Sequence, residues 1–269
     1  VNCACGRELP HRGLCSAQWA ARQGKNYQPK PKRRFKEHTA PAGNPLVLAV
    51  GHPSVLGGRT LFRKRVVDPA SMVRLLKSAE HNKKIGSPVV RGKLSGVPVY
   101  TLTLEERATC PTDCPHWRSC YGNAMNWSSR IDVTPSLIPI LRVELLSLAR
   151  KYPRFMVRLH VLGDFYSVEY VRFWHEMLRS LPGLRVYGYT ARLHGPIKDA
   201  IQEMNHHPRS WIRYSDGPEK SFRAVTVDNA EQAEAAGLIV CPAQTGKTDC
   251  CATCALCWAT DKTIAFLRH

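Results

Sequence analysis

The chain has 269 residues, of which 39 are Lys or Arg and 21 are Asp or Glu, a net charge of +18. That excess favours an anionic partner, nucleic acid or nucleotide first, while no basic amphipathic stretch points to a membrane surface. The apolar runs around Leu46–Val50 and Leu137–Leu141 are far too short to span a bilayer, and Val1–Cys5 is not an apolar signal, so a reducing, cytoplasmic setting is expected. There, 11 cysteines are expected to bind metal rather than pair as disulfides.

The first cysteine group is Cys3-Ala4-Cys5-Gly6 followed by Gly13-Leu14-Cys15. Two thiolates from one tight turn and a third from a second turn predict a zinc-ribbon-like segment over residues 1–24. Small zinc ribbons that it resembles continue with a further cysteine where this chain has Gln18, which leaves His11 to complete the ligand set or the site incomplete. Residues 25–45 form a basic linker whose run Lys30, Lys32, Arg33, Arg34 and Lys36 is suited to phosphates.

Residues 46–269 are expected to make one metal-cluster domain. Val97–Leu104 is predicted as a strand, and it leads into Cys110, Cys114 and Cys120. Three thiolates in one loop suit an iron–sulfur cubane with one iron left open. Structural zinc wants four ligands, and His116 inside the loop is its candidate fourth. Phe155–Leu162 is the next predicted strand, ended by Gly163-Asp164, and Tyr166–Leu181 the next helix. Arg185–Thr190 (strand), Pro196–Met204 (helix), Trp211–Tyr214 and Phe222–Val227 (strands), Asn229–Ala236 (helix) and Leu238–Val240 (strand) follow. This alternation predicts an α/β fold, a partial (βα)6-like barrel. The link Ser215–Ser221 is too short for a crossover helix, so its flanking strands either pair antiparallel or are not both strands.

The third group is Cys241-Pro242, then Cys250, Cys251, Cys254 and Cys257. Cys-x2-Cys-x2-Cys with a remote Cys-Pro has ferredoxin-cluster spacing, although zinc accepts the same thiolates and Cys250 competes with Cys251. Alternation puts Arg158 and His160 on one face, toward an anionic or purine-like substrate or as a core pair. Asp164 at the strand end is expected either to work as a base or amine-binding group or to cap the next helix. Tyr187 and Tyr189 are expected to pack against helices, and Arg192 and Arg213 to meet phosphate.

Lys93 to Trp258 resembles the phage-associated gene product 88 family. The matching pieces are Gly96-Val97-Pro98-Val99-Tyr100-Thr101-Leu102-Thr103-Leu104, Thr109-Cys110-Pro111, Cys120-Tyr121-Gly122-Asn123-Ala124-Met125, Leu159-His160-Val161-Leu162-Gly163-Asp164-Phe165-Tyr166-Ser167, Gly188-Tyr189-Thr190-Ala191 and Cys241-Pro242-Ala243-Gln244. The resemblance implies a phage-encoded protein of the bacterial host cell but carries no established activity. A wider resemblance is to radical S-adenosylmethionine enzymes, whose three-cysteine [4Fe–4S] loop follows the first barrel strand. Their usual spacing is Cys-x3-Cys-x2-Cys, and here the second gap has five residues. That likeness implies an S-adenosylmethionine site at Gly163 and Asp164, and an auxiliary [4Fe–4S] cluster at Cys241–Cys257. Two functions are therefore expected in contest: an iron–sulfur enzyme acting on a nucleotide or nucleic acid, and a non-enzymatic, zinc-stapled nucleic-acid-binding protein.

Overall fold

The computed structural model describes residues 46–268, so the zinc-ribbon-like segment with Cys3, Cys5 and Cys15, and the basic linker, lie outside the described residues. The described chain is mixed α/β. Its strands are β1 (Val66–Val67), β2 (Lys77–Ser78), β3 (Val99–Thr101), β4 (Arg130–Ile131), β5 (Phe155–Leu159), β6 (Leu184–Thr190), β7 (Ser210–Ser215), β8 (Arg223–Val227), β9 (Ile239–Val240) and β10 (Ile264–Leu267). Its helices are α1 (Pro53–Leu56), α2 (Leu137–Lys151), α3 (Val168–Ser180), α4 (Gly195–Asn205), α5 (Ala230–Ala235) and α6 (Cys251–Cys254). None is long and apolar enough to cross a membrane.

Eight strands form one sheet in the order β2-β3-β5-β6-β7-β8-β10-β9, and β1 pairs separately with β4. Every pairing in the large sheet is parallel except β2 with β3. Parallel strands need covered faces, and the residue alternation decides what covers each. Phe155, Val157 and Leu159 of β5, with Leu184 and Val186 of β6, pack into the core beneath α2, α3 and α4. Met156 and Tyr187 point the other way, into a second core with Val97, Val99, Cys241, Cys257 and Trp258. Helices therefore cover one face, and the two irregular segments 79–98 and 241–258 cover the other.

Two connections differ from expectation. β7 and β8 pair parallel, not antiparallel, through only Tyr214↔Arg223 and Ser215↔Ala224. The end of β7 meets the start of β8, so the strands are staggered and the chain need not travel back along the sheet. Left-handed backbone at Asp216 and Phe222 turns that short loop. Beyond β9, residues 241–263 form the crossover that brings β10 back between β8 and β9. The cysteine segment thus occupies the place a helix holds elsewhere in the sheet.

Candidate metal centre

Because β3, β5, β6, β7, β8 and β9 run in one direction, their carboxyl ends share one edge of the sheet. Asp164, Asp216, Asp228 and Cys241 lie just beyond those ends, and Thr190 is the last residue of β6. The Cys110–Cys120 loop springs from the β3 end. From the β9 end the third group runs back across the sheet face.

Cys241, Cys251, Cys254 and Cys257 line one small cavity of about 10 Å³ with Pro242, Ala243, Leu256 and Ile264. Cys250 turns away: its sulfur lies 3.4 Å from the Thr253 hydroxyl and packs against Gly86, where a Cβ would come within 2.6 Å of it. Two backbone hydrogen bonds dock the segment, as Cys251 and Ala252 donate to the Lys84 and Ile85 carbonyls at 2.8 Å each. All eight described cysteines are free thiols. Among the described residues, no three His, Cys, Asp or Glu side chains close around a point that a single ion would occupy.

The sulfurs share a local device. The amide two residues on donates to the sulfur of Cys114 (from His116), Cys120 (from Gly122), Cys241 (from Ala243) and Cys254 (from Leu256). Such turns favour thiolate over thiol, because a charged sulfur is the better acceptor. Burial opposes them and wins: Cys114 is pushed up to about 12, and Cys110, Cys120, Cys241, Cys251, Cys254 and Cys257 also move up. As thiols they are poor nucleophiles, unlike the exposed, low-pKa cysteines of redox sensors. A bound cation supplies what they lack, since coordination deprotonates a thiol outright.

Cationic side chains surround both groups. Arg107 and Arg130 lie near Cys120, and Lys84, Arg158 and Arg213 near the third group. Arg158 lies near both, influencing Tyr121, the neighbour of Cys120, as well as Cys251 and Cys257. Its guanidinium stands over Tyr187 at 5.6 Å and Tyr189 at 4.5 Å, donates to the Leu159 carbonyl, and pairs with no carboxylate among the described residues. Tyr187 and Tyr189 therefore face the cysteines, not the helices as expected. The Tyr189 hydroxyl sits 2.9 Å from the Cys257 sulfur, and the Tyr187 ring packs edge-on to Trp258.

His160 does not share the Arg158 face. β5 ends at Leu159, and beyond it the alternation lapses: the ring turns into the helix-side core, 4.8 Å from Phe165, with Nε2 3.0 Å from the Tyr170 hydroxyl. Burial lowers its pKa to about 3. Asp164 does not cap α3 either, since the Ser167 hydroxyl accepts from Tyr170 N–H. Instead Oδ1 accepts from Phe165 N–H and the Thr190 hydroxyl, and Oδ2 from Ala191 N–H, each at 2.7 Å. It ties the β5 end to the β6 end, and burial raises its pKa to about 6 against the pull of those donors. A carboxylate has room for about four donors, so one position remains. Gly163 (φ +82°) allows this approach, since a Cβ there would meet Thr109 Oγ1 at 2.6 Å and Leu104 Cβ at 2.7 Å.

Three further residues hold the edge together rather than facing ligand. Arg192 donates to the Phe165 and Thr109 carbonyls at 2.8 and 2.7 Å. Arg213, wholly buried, donates to the Thr260 and Lys262 carbonyls and so anchors the segment after the cysteines, out of reach of phosphate. His116, the expected fourth zinc ligand, lies 3.0 Å from Asp216 Oδ2 and 3.1 Å from the Thr226 hydroxyl. It clasps the cysteine loop to β7 and β8.

One layer escaped the sequence reading. Beneath the Cys110–Cys120 loop, buried Glu106 makes a two-point pair with buried Arg130 at 2.8 and 3.0 Å and accepts from the Thr60 hydroxyl at 2.6 Å. Glu105 accepts from Arg59 and Thr60 N–H. Arg107 donates to Asn123 at 2.5 Å and to the Trp117 carbonyl. An open groove of about 180 Å³ lies beside the loop, between Pro111, Asp113 and residues 192–197.

No family model, curated protein or solved structure matches this chain.

Proposed function

We propose that the chain is an iron–sulfur enzyme of phage type, built on a partial (βα)6-like barrel and acting on a nucleotide or nucleic acid. The observation that carries it is a four-thiol cavity, with a second thiol loop, on the face opposite the long helices and at the carboxyl edge of one mostly parallel sheet. That edge is where sheets of this class hold substrates. Cys241, Cys251, Cys254 and Cys257 would hold one [4Fe–4S] cluster. Cys110, Cys114 and Cys120 would hold a second, whose three-thiolate ligation leaves an iron open to a small ligand, S-adenosylmethionine in the radical-enzyme reading.

What this chain supplies is charge, positioning and shelter. Arg158, stacked on Tyr187 and Tyr189, offsets thiolate charge between the two groups and is the cation best placed for an anionic substrate. Asp164 and Gly163 set the edge beside Cys110, and the remaining acceptor position of Asp164 suits a substrate or cofactor amine. The backbone amides that meet the sulfurs prepare them for the charge that metal imposes.

Anaerobic purification, with iron, acid-labile sulfide and zinc measured together, tests the proposal. Brown protein containing iron and sulfide is expected. Cys251→Ser loses one cluster's worth of both, whereas Cys250→Ser keeps them. Colourless protein with stoichiometric zinc overturns the enzyme reading for the zinc-stapled one, which the same four thiols would equally satisfy.

A further inference from the structure

The loop that carries Cys120 ends in a feature the cysteines do not explain. Trp127 leaves 78% of its surface in water. Large aromatic side chains are usually withdrawn from solvent, and what distinguishes this one is its setting rather than its exposure alone.

This exposure is fixed from beneath. Arg130 is wholly buried and locked by the Glu106 carboxylate. It donates to the Gly122 carbonyl at 3.0 Å, to Met125 at 2.9 Å and to Ser128 at 2.6 Å, gripping the backbone on both sides of the indole. The β1–β4 register, Val66↔Arg130, then brings the segment before β1 alongside the segment before β4. That neighbour is Arg63-Lys64-Arg65, three exposed cations in one turn. The Arg65 guanidinium lies 5.3 Å from the Trp127 ring centroid. None of the three cations pairs with a carboxylate among the described residues.

We propose that Trp127 with Arg63, Lys64 and Arg65 is a platform for single-stranded nucleic acid. A base stacks on the free face of the indole while the cations meet the flanking phosphates. A duplex hides its base faces, so the indole selects a single strand. Trp and Arg also occur in protein interfaces, but a run of three cations without a carboxylate partner beside the ring favours a polyanion. The inference rests on the nucleic-acid part of the proposed function and gives it a surface distinct from the cysteines.

Anisotropy of a fluorescein-labelled oligothymidylate, titrated with the full chain across a salt series, is the test. Trp127→Ala is expected to weaken binding roughly tenfold to a hundredfold, the effect of losing one stacked base, and Trp127→Tyr to restore most of it. Replacing Arg63, Lys64 and Arg65 together by Ser should lower the log–log salt slope by about 2, three single-strand phosphate contacts' worth. Thermal melts of each variant should overlay the parent's, because these side chains are exposed. If the parent binds and both replacements bind equally well, the platform is wrong and the nucleic-acid reading stands. Equal competition by duplex DNA or by polyglutamate overturns the platform in favour of a groove or a protein partner. No binding by the parent at low salt removes both.

Discussion

Arg158 and His160 are two residues apart and serve opposite faces of the sheet. The difference is one of solvation. Arg158, half-buried over two tyrosine rings, stands near sulfurs that would carry negative charge once metal-bound. His160, packed on Phe165 and Tyr170, has only a hydroxyl partner for Nε2, and its Nδ1 is buried without one among the described residues. Its imidazole is neutral when folded, with a pKa of about 3 against the ordinary 6.5. The folded state therefore binds fewer protons at this site than the unfolded state. Stability from this group is complete above pH 6.5 and is lost as pH falls toward 3. Lowering the pH from 6.5 to about 5 should cost the parent about 1.5 kcal/mol that a His160→Gln variant does not lose. Urea melts of the two proteins at both pH values measure this. Parallel losses would mean that His160 is not held neutral.

The Cys110–Cys120 loop has no regular element longer than a turn, and its rigidity comes from the ion-pair layer beneath it. Glu106→Gln removes the charge opposing Arg130 while Arg130 stays buried. Breaking such a pair costs about 3–5 kcal/mol, a drop in melting temperature of roughly 6–20 °C. The variant should also lose metal from the Cys110 group before the Cys241 group, which EPR of the partly loaded protein would resolve. This layer was illegible in sequence because adjacent acids after a strand read as surface, and only their depth reveals the Arg130 partner, 24 residues on. β5 and β6 were legible because their period-two alternation separates two real cores. The alternation misled where it was carried past Leu159 to His160, and it could not say that Tyr187 and Tyr189 share the cysteine face. α2 was not among the expected helices, and its Pro139 lies in the first turn, where proline is tolerated. The parallel β7–β8 pair depends on a stagger that no local pattern encodes. The cysteine spacing was the most legible feature of the candidate site. It could not tell Cys250 from Cys251, because that choice is set by Gly86, far off in the chain.

At the scale of the whole molecule, one sheet face is covered by helices that hold themselves by backbone hydrogen bonds. Over the centre of the other lie segments 79–98 and 241–258, whose longest helix is the four-residue α6. This layer is held by turns and by hydrogen bonds between its two segments rather than by long helices, and it draws further stability from side-chain packing and, in the proposed reading, from metal. Val99, Met156, Tyr187 and Ile264 are buried only while that layer stays docked. Metal binding to Cys241, Cys251, Cys254 and Cys257 would then contribute directly to folding. Adding a chelator under reducing conditions should lower the melting temperature and expose Trp258, now 5% accessible and packed on Tyr187, with a red shift of its emission. Cys254→Ser should melt at the chelated protein's temperature and respond little to further chelation, since both treatments remove the same centre. Additive losses from variant and chelator would place the stabilising metal elsewhere. An unchanged melt in both would show that packing alone holds this face of the sheet.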